Sequence, residues 1–248
     1  MVGGDPARTL GGRTALVTGA SRGIGAAVAR ALAGAGARVA LVARTGPALD
    51  ALAGELEAAG APAPAVVPAD LRDPKAVRAA TDRVLAAFGD APDVLVNNAG
   101  VFAVAPADEA DPDAFAALLD ANLVAPFRVV RAFLPRMRTR GAGHVVTIGS
   151  VADRRAFPGN AAYASAKFGL RGLHEVLREE LRGSGVRATL VSPGPVDTPL
   201  WDPLDPDRRE GFTPRAMMLA ADDVADAVRW AVTRRPEVNV DELRLGRS

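Results

Sequence analysis

The chain has 248 residues, room for one or two domains at about 150 residues each. Apolar residues make up 49% and charged residues 24%, so a full hydrophobic core can form without staples. The formal net charge is +1, and neither nucleic acid nor an anionic membrane is expected as a partner. The absence of cysteine excludes disulfides, thiol nucleophiles and thiolate-bound zinc. It fits a reducing cytoplasm, the expected location. No stretch reads as a signal peptide or a membrane span. Residues 1–11 carry Asp5, Pro6 and Arg8 without an apolar run. They read as a disordered lead-in to one domain over residues 12–248.

Apolar runs and helical segments alternate along the chain. Arg13–Val17, Arg38–Val42, Ala65–Pro68, Val94–Val96, His144–Ile148, Arg187–Val191 and Val240–Leu245 read as strands. They are short and apolar on both faces, as parallel strands covered on each side are. Helical spacing occupies Gly23–Ala35, Pro47–Ala59, Pro74–Phe88, Asp113–Arg138, Asn160–Arg182 and Ala221–Thr233. Unbroken alternation predicts the α/β class: a doubly wound parallel sheet with helices on both faces. The segment 197–219 interrupts the rhythm with Pro199, Trp201, Pro203, Pro206 and Phe212, and reads as a substrate loop or lid.

After the first strand comes Thr18-Gly19-Ala20-Ser21-Arg22-Gly23-Ile24-Gly25. Gly19 permits a tight turn, Gly23 lets a pyrophosphate approach, and Gly25 lets the helix pack closely on the sheet. The helix start then offers free N–H groups to phosphates. The second strand ends in Ala43-Arg44, where a carboxylate would select NAD and an arginine the 2′-phosphate of NADP. Arg22 can close on the same dianion, since forked guanidinium donors bind phosphate oxygens in pairs. The expected cofactor is therefore NADP(H). Asp70, after the third strand, stands where an adenine amino group could donate to it. Asn97-Asn98-Ala99-Gly100 suits close passage of the adenosine ribose.

The fifth strand ends at Gly149-Ser150, and Tyr163, the sole tyrosine, follows thirteen residues later. Lys167 lies four residues on and shares its helix face. Twenty-eight of the 30 basic residues are arginine, with Lys75 and Lys167 the exceptions. Hydride transfer to a ketone creates an alkoxide that must be protonated as it forms. A tyrosine hydroxyl has the reach but a pKa near 10. An ammonium about 5 Å away contributes about 3 kcal/mol at a dielectric near 20, enough to lower that pKa by roughly two. Ser150 would orient the substrate oxygen, and Lys167 can also hold the nicotinamide ribose. Asn122 precedes Pro126, which disfavours a regular helix there, and at such a break it can hold a water beside Lys167.

With these residues the chain resembles the short-chain dehydrogenases/reductases, of their NADP-preferring type, from Thr14 to the end. The matching motifs are Thr18–Gly25, Asn97–Gly100, Asn122, Ser150, Tyr163-Ala164-Ser165-Ala166-Lys167 and Pro193-Gly194-Pro195-Val196-Asp197-Thr198. The resemblance implies a Rossmann-type sheet of seven strands and a catalytic tetrad of Asn122, Ser150, Tyr163 and Lys167. It implies cofactor contacts from Ser21, Ile24, Leu71, Ala99, Tyr163 and Lys167, with Pro193, Gly194, Val196 and Thr198 lining the nicotinamide. It also implies a homo-tetramer or homo-dimer built on the long helices. The expected activity is that of a carbonyl reductase or the reverse alcohol dehydrogenase, acting on a small-molecule carbonyl or alcohol.

Two other readings compete. A 3-oxoacyl-carrier-protein reductase would want a basic patch, for which Arg154 and Arg155 stand available. An NADP(H)-sensing regulator would not need the intact Ser150, Tyr163 and Lys167. His144 and His174 lack partners at metal-ligand spacing and read as structural, so no metal is expected.

Overall fold

The computed structural model describes residues 9–248, so most of the expected lead-in lies outside the described residues. Leu10, placed in that lead-in, instead belongs to the core: it is buried, and its N–H bonds the Ala35 carbonyl at 2.9 Å. Strands and helices alternate as β1 (Thr14–Thr18), α1 (Gly23–Gly34), β2 (Arg38–Ala43), α2 (Gly46–Ala58), β3 (Ala65–Pro68), α3 (Pro74–Phe88) and β4 (Val94–Asn97). There follow α4 (Pro112–Leu119), α5 (Ala125–Arg140), β5 (Gly143–Ile148), α6 (Ala161–Glu180), β6 (Val186–Pro193), α7 (Ala221–Val232) and β7 (Glu242–Leu245). Each expected strand and helix is present, with ends displaced by one or two residues.

The strands form one parallel seven-stranded sheet in the order β3-β2-β1-β4-β5-β6-β7. Alternate residues of each strand enter two different cores. Ala15, Val17, Val39 and Leu41 pack with α1, α2 and α7 on one face. Leu16, Ala40, Val42 and Leu95 pack with α3, α5 and α6 on the other. Two-sided burial is why these strands read as continuous apolar runs. Strand order reverses between β1 and β4, and the carboxyl ends of those strands open the cleft where ligands bind in such sheets.

The segment expected as one helix over 113–138 is interrupted by a π-helical turn, Asp120–Val124. Pro126 has no N–H to give the carbonyl of Asn122, four residues earlier, so the regular ladder fails at that point. The excursion 197–219 is pinched at its base by a bridge between Val196 and Leu219. It contains two short 3-10 helices, Pro199–Leu204 and Arg215–Met217.

His144 on β5 and His174 on α6 are buried. Their ring nitrogens bond Thr189 at 2.7 Å and Thr147 at 2.9 Å. Burial, with positive Arg187 near one and Arg178 near the other, pushes His144 down to about 3 and His174 down to about 4. Both therefore stay neutral in the folded chain at pH values where the unfolded chain, with ordinary histidines near 6.5, takes up protons. The unfolded state binds more protons below pH 6.5, so stability falls on acidification through that window. The slope approaches about 1.4 kcal/mol per pH unit for each histidine. Urea unfolding at pH 7 and pH 5 checks this: a His174→Asn variant should lose less stability between the two than the parent.

Candidate active site

The glycine loop leaves β1 with Gly19 at φ 68° and enters α1 through Gly23 at φ 56°. A side chain at position 25 is impossible without rearrangement, because a Cβ there would lie 2.1 Å from the Gly19 carbonyl oxygen and 2.5 Å from Asn98 Nδ2. The close packing that Gly25 permits is thus against the loop's own backbone and the end of β4. Asn98 Nδ2 donates to the Thr18 carbonyl at 2.9 Å. Thr18 Oγ1 accepts from the N–H groups of Asn98 and Ala99, both at 3.0 Å. The Asn98 amide expected near a ribose here stitches β1 to β4. Thr198 stands over the loop, 3.2 Å from where a Gly23 Cβ would be.

This cradle fits a phosphate-bearing dinucleotide. The α1 start carries no side-chain cap and no acidic residue in its first turn, which leaves N–H groups for phosphate oxygens. Ser21 and Ile24 are half-buried beside it, and Ala99 half-buried and Gly100 exposed across the cleft. Arg22 and Arg44 are exposed at the ends of the loop and of β2. Among the described residues neither guanidinium has a hydrogen-bond or salt-bridge partner. Asp70 differs from expectation. Its carboxylate is already held by Arg72 Nη2 at 2.6 Å and Nε at 3.1 Å, and these bonds, with Arg44 nearby, lower it to about 2. Leu71 is buried next to it. Pro193, the last residue of β6, and Val196 beyond it are buried, and the half-buried Gly194 bonds the Leu245 carbonyl at 2.8 Å.

Ser150, Tyr163 and Lys167 come together at the carboxyl end of β5. Lys167 Nζ is buried and donates to the Ile148 carbonyl at 2.9 Å. It lies 5.7 Å from the Tyr163 ring centre. The Ser150 hydroxyl lies beside the Tyr163 side chain and accepts from the Ala152 N–H at 3.1 Å. The expected lowering of the tyrosine pKa by lysine is overturned in this state. Burial pushes Tyr163 up to about 12, the Ser150 hydroxyl opposes it, and the Asp153 charge adds to it. Burial likewise pushes Lys167 down to about 8, opposed by Asp153. Removing water from both groups outweighs their mutual effect.

Asn122 is buried at the π-turn and partly engaged: Oδ1 accepts from the Val101 N–H and Nδ2 donates to the Val101 carbonyl, both at 2.8 Å. Each of these amide atoms keeps one further hydrogen-bonding position, and Pro126 has no N–H to bond the Asn122 main-chain carbonyl, which adds an acceptor at the same turn.

Three features escaped the sequence reading. Asp153 is fully buried; it accepts from Arg154 Nε at 2.9 Å and from the Ser192 hydroxyl, and caps the Ser150 N–H at 3.4 Å. The Ser150-x-x-Asp153 spacing of a capping box was the available signal. Arg154 pairs onward with Glu242 at 2.5 Å. Its charge is therefore committed inside the protein, which leaves Arg155 alone of the suggested carrier-docking pair. Phe102 packs edge-on against Tyr163, and Arg215 gathers three carboxylates of the 197–219 excursion. Nothing in spacing marks either of these, since the first depends on how the loop after β4 meets α6 and the second on how the 197–219 excursion folds back on itself.

A family model described as short chain dehydrogenase matches residues 13–209. The chain belongs to the short-chain dehydrogenase family. It is 33% identical to the 3-oxoacyl-[acyl-carrier-protein] reductase of Escherichia coli, covering 88% of this chain and 89% of that one. A metagenomic short-chain oxidoreductase in complex with NADP is 38% identical, with a TM-score of 0.83 over 97% of this chain and 99% of the other. A gluconate 5-dehydrogenase from Burkholderia cenocepacia in complex with NADP and tartrate is 33% identical, with a TM-score of 0.87 over 97% and 96%. Similar family members bind either cofactor: a 3-oxoacyl-[acyl-carrier protein] reductase from Brucella melitensis, 28% identical, carries NAD. No described helix of this family member is long and apolar enough to cross a membrane.

Asp153→Ala should destabilise the protein by about 3 kcal/mol, because it strands Arg154 and Ser192 without their buried partner. The urea midpoint checks it, and Glu242→Gln should cost less because that carboxylate is partly exposed.

Proposed function

We propose that this short-chain dehydrogenase is an NADPH-dependent carbonyl reductase, also running as the reverse alcohol dehydrogenase, with Tyr163 as the proton donor. The observation that carries this reading is the meeting of Ser150, Tyr163 and Lys167 at one strand end, beside a phosphate cradle. When bound, NADPH supplies the hydride. The residues then divide the remaining work. Ser150 Oγ and Tyr163 Oη hold the carbonyl oxygen between them, which orients the carbon toward the nicotinamide side of the cleft. Tyr163, pushed up to about 12, is protonated at neutral pH, and so stands ready to give its proton to the forming alkoxide. Lys167, at about 8, is still largely an ammonium near neutrality; it holds the ribose hydroxyls and favours phenolate as the proton leaves. The Asn122 carbonyl takes the water that returns a proton through Lys167.

Arg22 and Arg44, exposed and unpaired among the described residues, support NADP(H) over NAD(H). We assign cofactor contacts to Gly19, Ser21, Arg22, Gly23, Ile24, Gly25, Arg44, Leu71, Ala99, Gly100, Pro193, Gly194, Val196 and Thr198, with Asp70 and Asn98 contributing only what their internal bonds leave free. The domain spans the described chain, and residues 197–219 serve as its lid. We infer a homo-oligomer, tetramer or dimer, from apolar side chains left exposed on α5 and α6: Phe127, Phe168 and Val176.

Tyr163→Phe should lower kcat for ketone reduction by about a hundredfold to ten-thousandfold, while NADPH fluorescence titration shows near-parental affinity. Reduction at the parental rate removes Tyr163 from the role. Arg44→Ala should lower kcat/KM with NADPH about tenfold and leave that with NADH unchanged, since a charge-assisted bond to phosphate is lost. Parental preference for NADH would defeat the cofactor assignment.

A further inference from the structure

The chain holds eight Phe, two Trp and one Tyr, and four of these eleven rings meet at the catalytic end. Phe102, from the loop after β4, packs edge-to-face on Tyr163 with ring centres 4.7 Å apart. Trp201 packs edge-to-face on Phe102 at 5.0 Å, and Phe212 on Trp201 at 6.1 Å. Three of the rings come from two loops far apart in sequence and the fourth, Tyr163, from α6. In a chain this poor in aromatics, a continuous row ending on the proton donor is a wall of the substrate pocket.

The wall is fixed in place. Trp201 Nε1 donates to the Val196 carbonyl at 3.0 Å. Its one donor is spent on the protein, and what it offers the pocket is apolar face. Arg215 binds Asp197 and Asp202, each at 2.6 Å, and reaches Asp207 at 4.0 Å. The Val196–Leu219 bridge closes the loop base. A polyhydroxylated substrate pressed on these rings would lose water without gaining hydrogen bonds.

We propose that the substrate carbonyl carries an apolar, ring-sized substituent that lies against Phe102 and Trp201. This rests on the carbonyl reductase reading above and names its substrate class: aryl-alkyl or comparably bulky apolar ketones, and not sugar acids. In the step itself, hydride from NADPH adds to the carbonyl carbon, the C=O π pair moves to oxygen, and the Tyr163 proton completes the alcohol. Phe102 and Trp201 take no part in the bond changes and select by contact alone.

The test is NADPH oxidation with benzylacetone, butanone and a ketogluconate. Benzylacetone should exceed butanone in kcat/KM by about tenfold or more, chiefly through KM, because its phenyl ring leaves water. Trp201→Ala and Phe102→Ala should each lower kcat/KM for benzylacetone about fivefold or more beyond any loss on butanone, so that most of that margin disappears. Equal rates on the two ketones, preference for the ketogluconate, or equal losses on both ketones in Trp201→Ala would overturn the proposal. A second measurement reads binding without turnover. In Trp230→Phe, altered at an exposed position on α7, Trp201 is the remaining indole. Benzylacetone added to this variant with saturating NADP+ should change its emission saturably; an unchanged emission overturns the proposal. Turnover of the ketogluconate without benzylacetone defeats this inference alone. No NADPH oxidation with any carbonyl defeats the reductase reading beneath it.

Discussion

One buried hydrogen bond fixes the catalytic end: Lys167 Nζ to the carbonyl of Ile148, the last residue of β5. It ties α6 to the end of that strand. Ser150 lies two residues beyond the tied carbonyl, and Tyr163 one helical turn before the tied lysine. A single contact therefore sets the separation of three functional groups. It also sets their chemistry. An ammonium held there is out of water, and that lowers Lys167 to about 8. The same dry surroundings raise Tyr163 to about 12. Geometry and acidity at this end have one cause.

Asp153 belongs to the same account. Its buried charge favours the Lys167 cation and disfavours the Tyr163 phenolate, so it holds both groups in their protonated forms. A buried carboxylate is costly unless it is paired and hydrogen-bonded, and here Arg154, Ser192 and the Ser150 N–H supply both. Arg154 spans two carboxylates, Asp153 and Glu242, and so joins the buried charge beside Ser150 to the edge strand β7.

Strand and helix positions were legible because two-sided burial writes them as uninterrupted apolar runs and helical periods. The tyrosine–lysine face was legible because spacing on one helix is local. What escaped the reading depends on contacts across the fold. The Asn122 amide is partly engaged by Val101, twenty-one residues away, and the Asp70 carboxylate by Arg72, so both are less free than their positions suggest. The tyrosine pKa was misjudged because a pairwise distance carries no information on desolvation. The aromatic row needs two loops to meet, which no local pattern encodes.

The two ends of the cleft differ in chemistry and meet at Thr198. At the cofactor end, exposed guanidiniums and free helix N–H groups await an anion. At the other end, aromatic rings crowd Tyr163. Thr198 stands over Gly23 of the phosphate loop and directly precedes the helix that carries Trp201. The excursion that carries Trp201 is thus rooted beside the phosphate loop. Arg215 draws Asp197, Asp202 and Asp207 of that excursion onto one guanidinium, and all of these groups are partly exposed. Such wetted pairs are weaker than the buried set around Asp153, so the register of the excursion rests more on the Val196–Leu219 bridge and the Trp201 bond to the Val196 carbonyl than on charge.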